Sequence, residues 1–320
     1  MTTESQPQPR SSVGIEAVPK PRADPTVAGA DVLAVIVSYN PDDSIVANAV
    51  AIGSQVVSVL VVDNGSSVGA DPHLARIAEL DNVRVIRCGE NLGIAAALNV
   101  GLREATAGGW RWLATFDQDS TPSNGFIAAL LRAREMFQAP SRAAVVAPIY
   151  IDAATGELTS FRRPGSGSGE VAIIESTLTS GSLVDVEICG QLGGFRSDLF
   201  IDYVDFEFCF RAADAGFFVI EAAEARLYHN LGRTVRRRLL GRSVHVTNHS
   251  ADRRYYIARN RLTLYRKYGR ARPGWVGRDV SHFWREMVKI LLFEEDRGRK
   301  MTATIEGVWD GVRGRSGRRR

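Results

Sequence analysis

Two runs in this chain, residues 32–38 (VLAVIVS) and 56–63 (VVSVLVVD), are almost wholly apolar and β-branched. A strand with one wet face alternates between apolar and polar residues. These runs do not, so each reads as a strand buried on both faces of a sheet. Further strands are predicted at 83–88, 112–116 and 143–149, with helices at 44–51, 94–105 and 123–137 between them. Strands alternating with helices call for an α/β fold with a mostly parallel central sheet flanked by helices. Ligands of such sheets bind at the carboxyl ends of the strands. Polar clusters stand at those ends here: Tyr39-Asn40, Asp63-Asn64 and Asp117-Gln118-Asp119. Downstream, 155–169 reads as a loop, 190–194 as a turn and 217–221 as a strand. A helix is expected over 205–215, N-capped by Asp205 and stopped by Gly216.

The strand-end clusters carry the candidate chemistry. Two aspartates one residue apart in a turn suit a hard divalent cation that neutralises a diphosphate, although Asp is also common in turns. Asp63 either accepts the N3–H of uracil or thymine or closes its strand as an Asx turn. The backbone at Asn91-Leu92-Gly93 either approaches a ribose or base closely or serves a helix that Asn91 caps. In the run Asp202-Tyr203-Val204-Asp205-Phe206-Glu207, one carboxylate could take the proton of an attacking hydroxyl. Asp205 is favoured for this, because a helix N-terminus keeps it ionised and fixed in direction. Glu207 stands four residues before Arg211, so a surface ion pair accounts for it, and it is kept as the alternative base. His229 is either structural or the imidazole that completes a metal site begun by the aspartates.

Charge is unevenly distributed. Residues 231–320 carry 24 Lys+Arg against 8 Asp+Glu, whereas residues 1–230 carry 16 against 28. The basic part points to an anionic partner, either a membrane surface or a phosphate-bearing substrate. It contains a cluster at 233–242, a stretch at 253–267 that alternates Arg with Tyr, Leu and Ile, and an amphipathic segment at 282–293. In that segment Phe283, Trp284, Met287, Ile290 and Leu291 are in reach of one face. These features fit a helical subdomain packed on the core, and equally a peripheral membrane contact. Nucleic acid would fit the charge alone, but no recognition motif accompanies it and the strand-end carboxylates would go unexplained. A nucleotidyltransferase would carry a Gly-rich phosphate loop after the first strand, and Ser38-Tyr39-Asn40-Pro41 is not one. Three widely spaced cysteines, Cys88, Cys189 and Cys209, form neither a zinc cluster nor a disulfide framework. With no apolar leader and no run near the ~20 residues that span a bilayer, a cytoplasmic chain is expected. Any membrane contact would be peripheral, at the inner face of the plasma membrane.

Five stretches then occur in a telling order: 35–40 (VIVSYN), 62–66 (VDNGS), 91–93 (NLG), 116–119 (FDQD) and 205–211 (DFEFCFR). The sequence resembles glycosyltransferase family 2 over roughly residues 30–232. Within it, the Asp-Gln-Asp form, Thr179-Ser180-Gly181-Ser182, and Arg254-Tyr255-Tyr256 followed by Arg259-Asn260 resemble the bacterial rhamnosyltransferase branch. The resemblance implies a GT-A (Rossmann-like) catalytic domain at 30–232; composition and charge place a disordered tail (1–29) before it and a basic helical region (233–312) and a basic tail (313–320) after it. It implies inverting transfer of a sugar, L-rhamnose from dTDP-L-rhamnose, to a glycan or lipid-linked acceptor in cell-surface polysaccharide synthesis. The alternatives are a hexosyl- or galactofuranosyltransferase using a UDP-sugar, and a non-catalytic nucleotide-sugar binder. It implies Asp205 as the base, and Asp117, Asp119 and His229 as ligands of Mg2+ or Mn2+. Donor contacts are implied at Ser38, Tyr39, Asn40, Asp63, Asn64, Asn91, Gly93, Asp117, Gln118, Ser180 and Gly181. Val204 departs from the family, which usually has an acidic residue there.

Overall fold

The computed structural model describes residues 29–153, 155–163, 169–229, 235–239 and 242–319. The expected tail at 1–29 lies almost wholly outside these residues, and so do the side chains of the basic cluster at 233–242. The chain opens with β1 (Gly29–Ser38), α1 (Ser44–Gly53), β2 (Val56–Asp63), α2 (Asp71–Ala78), β3 (Val83–Arg87), α3 (Ile94–Ala107) and β4 (Trp112–Asp117). Then come β5 (Ser120–Pro122), α4 (Phe126–Met136), β6 (Ala143–Asp152), β7 (Leu158–Thr159), β8 (Val171–Ile174), β9 (Ser182–Asp185) and α5 (Val186–Gln191). The rest is α6 (Val204–Asp214), β10 (Phe218–His229), β11 (Val235–Leu239), β12 (Arg242–Val246), α7 (Ala251–Tyr268), α8 (Pro273–Phe293) and α9 (Arg297–Val312).

The central sheet runs β3-β2-β1-β4-β9-β6-β10-β5, with β7 on β6 and β8 on β10. The strands from β3 to β4 are all parallel, as are β6 and β10, while β9 runs antiparallel between the two groups. The two-faced burial predicted for β1 holds. Leu33, Val35 and Val37 enter one core with α3, α5 and α6, and Val32, Ala34 and Ile36 enter the other with α1, α2 and α4. Close helix packing is purchased at Gly101 of α3, where a Cβ would come within 2.7 Å of Val35. Register fixes the site: Ser38 is beside Asp63 and Val37 beside Asp117, so three polar strand ends share one edge.

Several expectations are corrected. α5 occupies part of the region read as a turn, capped by the Asp185 carboxylate, which accepts the Ile188 N–H at 3.0 Å. α6 starts at Val204 with Tyr203 as N-cap, so Asp205 sits inside the first turn and is not the cap. Gly93, not Asn91, caps α3. Three of the five arginines of 253–267 face the interior and not a basic surface. Arg254, Arg259 and Arg261 are buried, and carboxylates of α8 and its C-terminal end neutralise two of them: Arg254 meets Glu294 at 2.6 Å, and Arg261 meets Asp279 at 2.6 Å. On α8, Met287 and Ile290 face inward while Trp284 and Leu291 are exposed, so the apolar residues do not share one face. Residues 313–316 and 318 are exposed, as expected of a solvated tail, but the segment is tied to the core. The Gly317 N–H donates to the Asp198 carbonyl at 2.6 Å, and Arg319 pairs with Asp252 at 2.7 Å. Among the described residues no helix is long and apolar enough to cross a membrane.

Candidate active site

A cleft of about 520 Å3 opens at the aligned strand ends. Its metal-capable corner is built by a tight reversal. After Asp117 the chain turns and returns as β5, which pairs antiparallel with β10 and sets Ser120 opposite His229. The sequence hides β5 because it is only three residues long and follows a polar turn. The reversal brings Asp117, Asp119 and His229 together, with one ligand-capable atom from each within 4.8 Å of the others. His229 Nε2 is 3.9 Å from Asp117 Oδ2, and Nδ1 is 3.5 Å from Asp119 Oδ1. Nδ1 also lies 2.8 Å from Ser120 Oγ, which is 2.7 Å from Ser180 Oγ. When Nδ1 donates to Ser120, the Nε2 lone pair is left facing Asp117, the tautomer a metal ligand needs. Two hard carboxylates and one oriented imidazole suit Mg2+ or Mn2+. Burial pushes Asp117 above its ordinary range; His229 opposes this and the Asp119 charge adds to it. A site that strains to hold its own negative charge favours a cation.

Other expected donor contacts divide into lining and support. Tyr39, Asn64, Asn91, Gly93 and Gln118 line the cleft. The Tyr39 N–H donates to Gln118 Oε1 at 2.7 Å, tying the end of β1 to the Asp-Gln-Asp turn. Asn64 Oδ1 accepts the Leu92 N–H at 2.9 Å, which joins the second and third motifs. Asp63 and Ser38 are buried behind this surface. The Asp63 carboxylate accepts the Ser66 hydroxyl, and Ser38 Oγ has no partner among the described residues. Asn40 builds the turn, accepting the Ser67 N–H at 2.8 Å. Ser180 and Gly181, expected as donor contacts, stand behind the metal corner instead. Ser180 Oγ accepts the Asp117 N–H at 3.0 Å, and Gly181 has φ +76°, where a Cβ would come within 2.7 Å of Leu227.

Asp205 lies where this cleft meets a second cavity of about 500 Å3, and it lines both. Its Oδ1 accepts the Phe206 N–H at 2.9 Å. Burial nevertheless pushes its carboxyl up to about 7, and the nearby Asp202 and Asp117 charges push the same way. The sequence argument for a fully ionised Asp205 therefore gives way to exclusion of water by the cleft walls. Arg253 also lines both cavities and grips Asp202 through Nε and Nη2, at 3.1 and 3.0 Å from Oδ1. Neither Arg253 nor Ser120 was singled out from the sequence. The one signal for Ser120 was its place directly after Asp119. The second cavity has apolar walls at Phe206, Phe283 and Met287, and buried guanidinium N–H groups at Arg254 and Arg261 that lack partners among the described residues.

Glu207 is corrected most clearly. It is 0% exposed, faces away from both cavities and holds Arg211, Lys267 and the Tyr268 hydroxyl at 2.8, 3.0 and 2.8 Å. Burial alone would raise its carboxyl, but these partners hold it below the usual range. It is the pin between α6 and α7, not a surface pair or a second base. Glu207→Ala is expected to cost roughly 3–5 kcal/mol of stability, because it strands a partly buried guanidinium. A lowered urea midpoint, with nucleotide binding by the remaining folded protein unchanged, is the result to look for.

Residues 34–192 match the model of the family described as Glycosyl transferase family 2. A protein of Shigella flexneri described as dTDP-rhamnosyl transferase RfbF is 29% identical over 300 residues, covering 90% of this chain and 97% of that one. Among solved structures, the mannosyltransferase PcManGT of Pyrobaculum calidifontis, in complex with GDP-Man and Mn2+, superposes with a TM-score of 0.52 at 15% identity, over 93% of this chain and 91% of its own. GalNAc-T7 with UDP, GalNAc and Mn2+ gives a TM-score of 0.54 at 15% identity over 73% of this chain, which spans 48% of that longer protein. These two structural likenesses concern the fold.

Proposed function

We propose that this chain is a glycosyltransferase of family 2 and of GT-A fold, and that it transfers L-rhamnose from dTDP-L-rhamnose, with inversion, to a hydroxyl of a lipid-linked or free glycan. The observation that carries the chemistry is the position of Asp205, at the junction of a cleft with a metal-capable corner and a second, partly apolar cavity. The choice of sugar is supported by the likeness, across nearly the whole of both chains, to a protein described as a dTDP-rhamnosyl transferase.

In this reading Asp117, Asp119 and His229 would hold a divalent cation beside the donor diphosphate. Mg2+ or Mn2+ supplies charge neutralisation of the leaving group there. Tyr39, Asn64, Asn91 and Gln118 line the space for the nucleoside, and Asp63 stands behind them at the base. The acceptor sugar lies in the second cavity against Phe206 and Phe283. Asp205 takes the proton of the acceptor hydroxyl on Oδ2, since Oδ1 is occupied by the Phe206 N–H. The freed oxygen attacks the anomeric carbon, the bond to the diphosphate oxygen breaks, and the nucleoside diphosphate leaves with the electron pair. Free Cys88, Cys189 and Cys209 suit a cytoplasmic site of action.

Because Asp205 titrates near 7 and must be ionised to act, activity is lost as pH falls through that value. Expected is a kcat/KM that rises about tenfold per pH unit on the acid side and levels above pH 7 or so. A flat profile across that range contradicts the role. The donor is tested by thermal shift with dTDP-rhamnose, UDP-galactofuranose and UDP-glucose, each with Mg2+ or Mn2+. A ligand at a hundredfold its Kd adds about 2.7 kcal/mol of stability, so the true donor stands out. Larger stabilisation by a UDP-sugar overturns the choice of rhamnose.

A further inference from the structure

The segment 198–203, which leads into Asp205, has a backbone that its side chains do not favour. Phe200, Asp202 and Tyr203 have φ of 66°, 63° and 63°. Phe200, with ψ −66°, is the centre of a γ-turn closed by the Ile201 N–H on the Leu199 carbonyl at 2.9 Å. This hand of γ-turn is rare and strained. Non-glycine residues in such conformations persist only where the surroundings over-determine them.

The surroundings here are two buried residues of α7. Asn260 Nδ2 donates to the carbonyls of Leu199, Ile201 and Asp202 at 2.9, 2.8 and 3.0 Å. Its Oδ1 accepts Arg259 Nε at 2.9 Å, which fixes the amide with its NH2 toward the turn. Arg259 Nη2 donates to the Leu199 and Asp198 carbonyls at 2.9 and 3.2 Å, and Nη1 donates to the Gly317 carbonyl. The exposures of Arg259 and Asn260 are 1% and 0%. A guanidinium buried this deeply usually meets a carboxylate. Here Arg259 donates to backbone carbonyls and to the neighbouring amide. From the other side, a Cβ at Gly93 would fall 2.5 Å from the Phe200 carbonyl, so the donor-side loop presses on the same turn.

We propose that Arg259 and Asn260 are positioning residues for the transfer step. They lock the strained turn, with Gly317 as a third anchor, so that the first turn of α6 presents Asp205 to the acceptor hydroxyl. This rests on the reading of Asp205 as the base. They touch neither cavity surface where the diphosphate binds, so their loss should appear in kcat and not in donor affinity.

Asn260→Ser shortens the donor so that it cannot reach three carbonyls. Expected is a fall in kcat of roughly 10²-fold, the cost of misplacing a reacting group by about 1 Å. Binding of dTDP with Mn2+, measured by titration calorimetry, should stay within about threefold. Deletion of residues 316–320 removes the Gly317 anchor together with the Arg319 contacts to Asp252 and Tyr256 of α7, and keeps Arg259 and Asn260 themselves; it should lower kcat about tenfold with the same affinity. Should Asn260→Ser fail to fold, the deletion variant carries the test. Unchanged kcat in whichever variant folds overturns the proposal, as does a parallel loss of kcat and affinity. Asp205→Asn in the same assay separates the two ideas. Activity in that variant removes the base itself, whereas an inactive Asp205→Asn beside a fully active Asn260→Ser removes only the clamp.

Discussion

Asp205→Asn is expected to lower kcat by about 10²–10⁴-fold, the usual worth of a general base, while dTDP affinity in Mn2+ stays within about threefold. The amide has the shape of the carboxylate and can still accept the Phe206 N–H through its oxygen. It cannot take a proton. It also resembles the protonated form that the walls of the cleft already favour at acid pH. The variant should therefore behave as the wild type does far below pH 7, and raising the pH should not restore it. Near-normal turnover would show that the acceptor proton goes elsewhere.

The second large effect is expected at Asp119. Its side chain is half-buried and its described contact is the 3.5 Å approach to His229, so Asp119→Ala should fold as the wild type does. Loss of second-shell partners costs metal sites 10- to 100-fold, so loss of a direct ligand should weaken donor affinity by more than about 10²-fold. The residual activity should no longer respond to added Mn2+. His229→Ala removes the third ligand and should fall between wild type and Asp119→Ala. Equal activity of wild type in excess chelator would sink the metal site.

The legible and illegible parts of this chain divide by range. β2 can be read from the sequence to its last residue, because burial on both faces leaves a run that only a central strand explains. The same reading puts Asp63 and Asp117 at strand ends, and the parallel register makes them neighbours. What the sequence could not reveal depends on partners far along the chain. The i,i+4 pair of Glu207 and Arg211 is visible, but Lys267 and Tyr268, which bury Glu207, come from α7. Arginines alternating with aromatics look like a surface for anions. Asp279, Glu286 and Glu294, contributed by α8 and its end, turn that stretch into an interior. Helix-terminus logic keeps Asp205 ionised, whereas the surrounding walls, which no local pattern encodes, raise it to about 7. β5 is too short for any periodicity, yet it decides where His229 meets the aspartates.

In a single displacement, Asp205 would activate an acceptor hydroxyl against a donor whose diphosphate a cation held by Asp117, Asp119 and His229 would neutralise. The most direct test is the anomeric configuration of the sugar transferred by the wild-type enzyme from dTDP-L-rhamnose with Mn2+, read by NMR of the isolated product. One in-line attack predicts the configuration opposite to that of the donor. Retained configuration would require a second nucleophile, and would contradict the role assigned to Asp205.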